Sequence, residues 1–165
     1  DGTLLTKTYS IEDCLLYQDM TKIKSDWTKD TSVSGRTIYR LQTGYQSNVE
    51  LTWKCANNVP TSFLIGFGKY GTLDAKFAFF NYTNIKYLYS STSTSPNKLD
   101  NMGTISVSTN TVFKITTQNI HTCNMLFDDV AKASRNTDTN MALDLSLDDF
   151  TDTPLDLDYL KVNPL

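Results

Sequence analysis

The chain has 165 residues and a formal net charge of −3, with 39% hydrophobic, 12% aromatic and 20% charged residues, enough for one domain with a core of its own. The lysines are scattered singly from Lys7 to Lys161, which excludes the basic footprint of nucleic-acid binding and a polybasic membrane patch. No run approaches the ~18 apolar residues of a membrane-spanning helix.

Residues 10–23 admit two readings. Ser10 followed by Asp13 opens a capped helix with Ile11, Leu15 and Met20 as its stripe. A strand over 11–18 fits as well, with Cys14 and Leu16 alternating against Asp13, Leu15 and Tyr17, and it is preferred. Only Glu12 and Glu50 are glutamates; every other acid is aspartate, a turn residue and poor helix former. From there on the period is two, the strand signature. In 48–55, Val49, Leu51, Trp53 and Cys55 face one way and Asn48, Glu50, Thr52 and Lys54 the other. In 62–68, Phe63, Ile65 and Phe67 alternate with smaller residues, and Gly66 and Gly68 mark a bulge or a close sheet approach. Residues 36–42, 75–81, 84–90, 104–108 and 120–127 read as strands by content. Residues 112–117, 140–147 and 155–159 do so by alternation.

Turn signals separate these runs: Asn57–Pro60, Lys69–Gly71, Ser95–Asn97, Asp128–Asp129 and Asp152–Pro154. Ser90 to Pro96 is polar throughout and reads as a long exposed loop. Ten or more short strands in one domain predict an all-β, two-sheet antiparallel jelly-roll sandwich. Residues 1–165 are read as a single module, and a chain running from Asp1 to Leu165 without terminal signals is expected to come from a longer one. Trp53, Phe63, Phe67 and Phe79 are assigned to the core.

Cys14, Cys55 and Cys123 are three in number and none lies in a CxxC pair, so they read as free thiols packing as small hydrophobes in preference to one disulfide. His121 is the only histidine, and alternation puts it on one face with Cys123, Met125 and Phe127, as a partly buried side chain and not a catalytic base. Asn81-Tyr82-Thr83 is a glycosylation sequon of low specificity.

Three stretches carry a resemblance. Glu12-Asp13-Cys14-Leu15-Leu16 followed by Lys24-Ser25-Asp26-Trp27 resembles the opening of lectin-like jelly-roll modules. Leu157-Asp158-Tyr159-Leu160-Lys161-Val162 looks like their last strand, which returns beside the first. Ile120 to Ser134 resembles the strand–turn–strand of laminin-G-like domains, with Asp128-Asp129 where those have Asp-Gly or Asn-Gly. The implied fold is the concanavalin-A-like jelly roll, as used in carbohydrate-binding modules, microbial adhesin-like proteins and phage tail receptor-binding proteins.

The resemblance implies non-catalytic recognition of a cell-surface glycan, on a polysaccharide or glycoprotein, by an extracellular, cell-surface or virion-surface module. Its alternatives are a structural or receptor-binding module of a phage tail or surface fibre without glycan affinity, and a glycan-cleaving jelly roll. Against the last, the Glu-x-Asp-x-x-Glu strand of related glucanases is missing. Asp144 and Asp148, the nearest substitute, read as solvent-facing acids on an amphipathic strand. The resemblance also implies a structural calcium held by Glu12 or Asp13 and by Asp158. Sugar binding needs exposed rings that pack on the apolar face of a pyranose. Trp27, Tyr45, Tyr70 and Tyr82 lie in or beside predicted loops, and Tyr87 shares an outward strand face with Ile85, so these five are the candidate carbohydrate-binding residues.

Overall fold

A computed structural model describes residues 14–19, 23, 25–32, 34–45, 48–68, 75–83, 85–90, 98–118, 122–136, 143–150 and 155–165. The described residues form β1 (Leu16–Gln18), β2 (Thr28–Asp30), β3 (Arg36–Tyr45), β4 (Val49–Cys55), β5 (Ser62–Gly68), β6 (Ala75–Tyr82) and β7 (Ile85–Ser90). There follow β8 (Lys98–Asn101), β9 (Phe113–Gln118), β10 (Thr122–Phe127), β11 (Val130–Asn136), β12 (Leu143–Phe150) and β13 (Leu157–Pro164). They make a six-stranded sheet, β1-β13-β4-β9-β10-β11, and a seven-stranded sheet, β2-β3-β12-β5-β6-β7-β8. Every pairing is antiparallel, and Leu16–Gln18 lies beside Leu160–Val162, so the last strand does return beside the first. This is the expected jelly-roll sandwich.

The alternating apolar residues close the sandwich. Leu51, Trp53 and Cys55 of β4, Phe113 and Ile115 of β9, and Cys123, Met125 and Phe127 of β10 meet Phe63, Ile65 and Phe67 of β5 and Phe77 and Phe79 of β6 in one buried cluster. Trp53 stacks on Phe113 with centroids 5.3 Å apart, and Phe79 meets Phe127 edge-on at 5.5 Å. Such contacts add about 0.5–1.5 kcal/mol each to the burial of the rings. Cys55 and Cys123 are free thiols buried in the core.

Turn chemistry is equally explicit. Asp128 and Asp129 have φ of 49° and 65°, and Phe127 pairs with Val130 across them. Two left-handed residues between paired strands define a type I′ turn, and aspartate tolerates that region better than most side chains. Asp128 Oδ1 also accepts the Val112 N–H at 2.8 Å.

Two sequence expectations change. Residues 104–108 keep the alternation but join no ladder. Ile105 and Val107 pack on the core although residues 104–108 are not part of a strand. At the N-terminal end, β1 begins at Leu16, and Ile23, Ser25 and Asp26 are helical, with Ile23 N–H donating to Asp19 O at 3.1 Å. Strand and helical turn thus follow one another. Residues 11–13 and 90–96 lie outside the described set, apart from Ser90 at the end of β7.

Candidate glycan-binding site at the β6–β7 tip

The hairpin β6–β7 pairs Tyr82 with Ile85, Asn81 with Lys86 and Phe80 with Tyr87, and these pairs point alternately to the two faces of the sheet. Phe79 and Leu88 are core residues. By alternation Asn81 and Lys86 therefore face inward, and Phe80, Tyr82 and Tyr87 outward.

The inward pair lies at the end of the sandwich, where a cavity of about 470 Å³ opens between the walls. Val59, Pro60 and Thr61 form one wall, Thr104 to Val107 the other, Asn81 and Lys86 the floor, and Thr83 the lip. Thr83 N–H donates to Thr61 O at 2.7 Å, tying lip to wall. The opposite wall is placed by β7. Lys86 N–H donates to Gly103 O at 3.1 Å and Met102 N–H donates to Lys86 O at 2.8 Å. Gly103, at φ 78°, then turns the chain back over the cavity, with its N–H on Asn101 Oδ1 at 2.7 Å. A residue with a side chain is disfavoured at that φ.

The floor is polar where a core is expected. Asn81 is 2% exposed; its Nδ2 donates to Pro60 O at 2.5 Å, while its Oδ1 has no hydrogen-bond donor. The sequon asparagine is thus a structural residue whose amide is closed to modification in the folded domain. Lys86 is 5% exposed, and burial pulls its ammonium below the ordinary lysine pKa. Four exposed hydroxyl residues, Thr61, Thr83, Thr104 and Ser106, edge this floor. Cavities of about 300–1,000 Å³ with apolar walls and a few convergent polar groups are the usual form of small-molecule sites.

On the outward face, Phe80 lies 5.7 Å from Tyr82 and 6.0 Å from Tyr87 between centroids. The three rings form a shelf that ends in Tyr82, 52% exposed. Tyr82 and Tyr87, both expected from sequence, are therefore brought together at the tip that carries the cavity. The other candidates are not. Trp27 is 4% exposed and belongs to the core cluster, so it is withdrawn as an exposed platform. Its ring closes on apolar neighbours instead of meeting solvent. Tyr45 ends β3, its backbone paired with Leu143. Tyr70 and His121 lie outside the described residues.

Of the residues expected at a calcium ion, Glu12 and Asp13 also lie outside the described set. Asp158 is exposed, with its carboxylate 3.9 Å from Lys54 Nζ. The described residues contain no group of three or more acidic, histidine or cysteine side chains placed to hold a metal.

Asp144 and Asp148 need correction. They are 5% and 2% exposed, not solvent-facing. Asp144 Oδ1 accepts the N–H groups of Thr43 and Gly44 at 2.9 and 2.8 Å, capping the bulge where β3 slips against β12. Asp148 is paired with the Arg36 guanidinium. Backbone amides and a cross-strand arginine replace the water that alternation alone assigned to them.

Two sheets with this strand order, closed over one core, define the chain as a concanavalin-A-like jelly roll. The solved structures it is similar to agree. A toad ovary galectin, in complex with thio-digalactose, superposes with a TM-score of 0.56 at 9% identity over 79% of this chain and all of that one. A sialidase matches at 0.52 and 10% identity over 84% of this chain, which spans 14% of that enzyme. The SPRY domain of human HERC1 matches at 0.52 and 10% identity over 80% of this chain and 84% of its own. These likenesses are of fold. No family model matches the sequence, and no curated protein does.

Proposed function

We propose that this domain is a non-catalytic carbohydrate-binding module that takes one sugar residue of a cell-surface glycan into the cavity at the β6–β7 tip. The observation that carries the reading is the cavity floor: two buried polar side chains, Asn81 and Lys86, edged by hydroxyls and backed by aliphatic walls. A buried polar atom without a partner, as Asn81 Oδ1 is, costs stability, and a polyhydroxylated ligand carries donors of the kind it lacks. Tyr82 stands at the same tip, its neighbours Asn81 and Thr83 lining the cavity, so a second sugar residue leaving the cavity can pack on its ring. The scaffold is one on which the toad galectin holds thio-digalactose.

The non-catalytic half is supported by the two aspartates. They sit four residues apart on one strand, about 13 Å along it, whereas glycosidase carboxylates stand roughly 5–9.5 Å apart. Each is also engaged, Asp144 by amides and Asp148 by Arg36. A glycan array probed with the domain is expected to give a defined set of hits, with no reducing-sugar release from the same glycans. Tyr82→Ala should weaken the best hit by about 2–12-fold, the worth of one ring contact at ~0.5–1.5 kcal/mol. No hit on any glycan overturns the reading in favour of a structural module.

A further inference from the structure

We infer that the cavity selects sugars carrying an acidic substituent, a carboxylate or a sulfate, and that Lys86 is the residue that reads it. The inference rests on the proposed sugar site and adds the chemistry of its ligand. Lysine is almost never fully buried unless it is paired. Four other cations of the described residues stand within 4 Å of an acidic side chain. Arg36 has Asp148, Arg40 has Asp30 at 3.8 Å, Lys54 has Asp158 at 3.9 Å, and Lys114 has Asp129 at 2.6 Å and Glu50 at 3.7 Å. Lys86 has none: at 5% exposed it is more buried than Lys54 or Lys114, and among the side chains the structure describes no acid lies within 4 Å of its ammonium.

Nor does the cavity supply a substitute. Among the described residues, its lining holds no aspartate and no glutamate. Lys86 follows the inward face of β7 shared with core residue Leu88, a position where packing alone calls for an aliphatic side chain. An ammonium kept there without a counter-charge is destabilising, and its lowered pKa reports the same desolvation. A ligand anion entering beside the hydroxyls of Thr83 and Thr104 supplies the missing charge through a charge-assisted hydrogen bond, which is stronger than a neutral one. With the chain at −3 overall, bulk attraction does not explain acid binding, so a preference for acids reports this one cation.

The test uses matched glycan pairs on one array and in solution titrations: galactosides with and without a terminal sialic acid, glucans against uronans, and unsulfated against sulfated oligosaccharides. Acidic members are expected to bind at least tenfold tighter than their neutral partners, with affinity falling as salt rises. The carboxylate and sulfate arms identify which anion is read. Lys86→Met should abolish the acid preference while the melting temperature stays level or rises, and Lys86→Arg should retain the preference. Equal binding of neutral and acidic partners overturns the inference and leaves the sugar site standing. An acid preference that survives in Lys86→Met places the reader elsewhere and also overturns it. Absence of binding to every glycan overturns the sugar site itself, and the inference with it.

Discussion

Cys55 and Cys123 face the core from β4 and β10, and burial changes their acid–base chemistry. The Cys55 thiol is pushed up to about 12 from 9, first by desolvation and then by the Asp156 carboxylate. Cys123 is raised by burial alone. A folded-state pKa above the unfolded one gives stability that is complete below pH 9 and is lost as pH climbs toward the folded value, because the unfolded chain releases the proton first. Urea unfolding at pH 8, 9, 10 and 11 should therefore show wild type losing about 1 kcal/mol per thiol per pH unit above 9, relative to a Cys55→Ala/Cys123→Ala variant. Parallel curves for the two proteins would contradict the assignment. The same scale explains what sequence revealed of the site. Tyr82 stands out in the sequence because it lies beside a predicted turn, and Tyr87 because it shares a strand face with Ile85; the hairpin puts both on its outward side. Asn81 and Lys86 were missed because a polar residue inside a strand is ordinarily read as its solvent face. The signal was present in the register: Lys86 is two residues from Leu88, and Asn81 two from Phe79, so each shares the face of a core residue.

Strand β5 shows how an element is fitted to its neighbour. A Cβ on Gly66 would lie 2.1 Å from Phe77 O and 2.4 Å from Ala78 Cα, both backbone atoms of β6, and the ladder slips between Phe67 and Gly68. Nothing flexible can yield, so Gly66→Ala must push β6 away and disturb the strand whose far end carries Asn81. The expected cost is at least that of core overpacking, about 1–3 kcal/mol, read as a lower urea midpoint at unchanged slope. An Ala variant as stable as wild type would mean the sheets already have slack there. Glycine pairs inside an apolar alternation announced this approach before any coordinates. Strands β4, β5, β9, β12 and β13 were legible for the related reason that one buried face imposes period two, and β3, β6, β7 and β10 by their content of β-branched and aromatic residues. Strand β8 was not, since Lys98–Asn101 is a short edge strand. Residues 104–108 misled in the opposite sense: their β-branched content reads as a strand, but Ile105 and Val107 are there to pack on the core, and such content reports burial whether or not a partner strand is present. That stretch forms a cavity wall because it packs without pairing.

Chain order and sheet order disagree across the whole molecule, and this sets how it must fold. Strand β12 sits between β3 and β5, and β13 between β1 and β4, yet both come from the last quarter of the sequence. Until they arrive, β3 and β5 have no common partner in one sheet, and neither do β1 and β4 in the other. The register pairs Ser146 with Arg40 and Leu160 with Trp53, separations of about a hundred residues whose closure entropy is met before the core rewards it. The Trp53–Phe113–Phe79 cluster depends on that closure, because it needs the two sheets face to face. A fragment ending at residue 142 keeps eleven of the thirteen strands of the described residues but neither of these two interior ones. It is expected to lack a cooperative thermal transition and to aggregate through the exposed edges of β3, β4 and β5, whereas the full chain melts in one step. Adding a peptide of residues 143–165 to the fragment should recover β-sheet circular dichroism, since the missing strands supply interior ladders of both sheets at once. A fragment 1–142 that melts cooperatively on its own would mean that the first eleven strands pair in some other order, and that β12 and β13 are additions to the core instead of its closing elements.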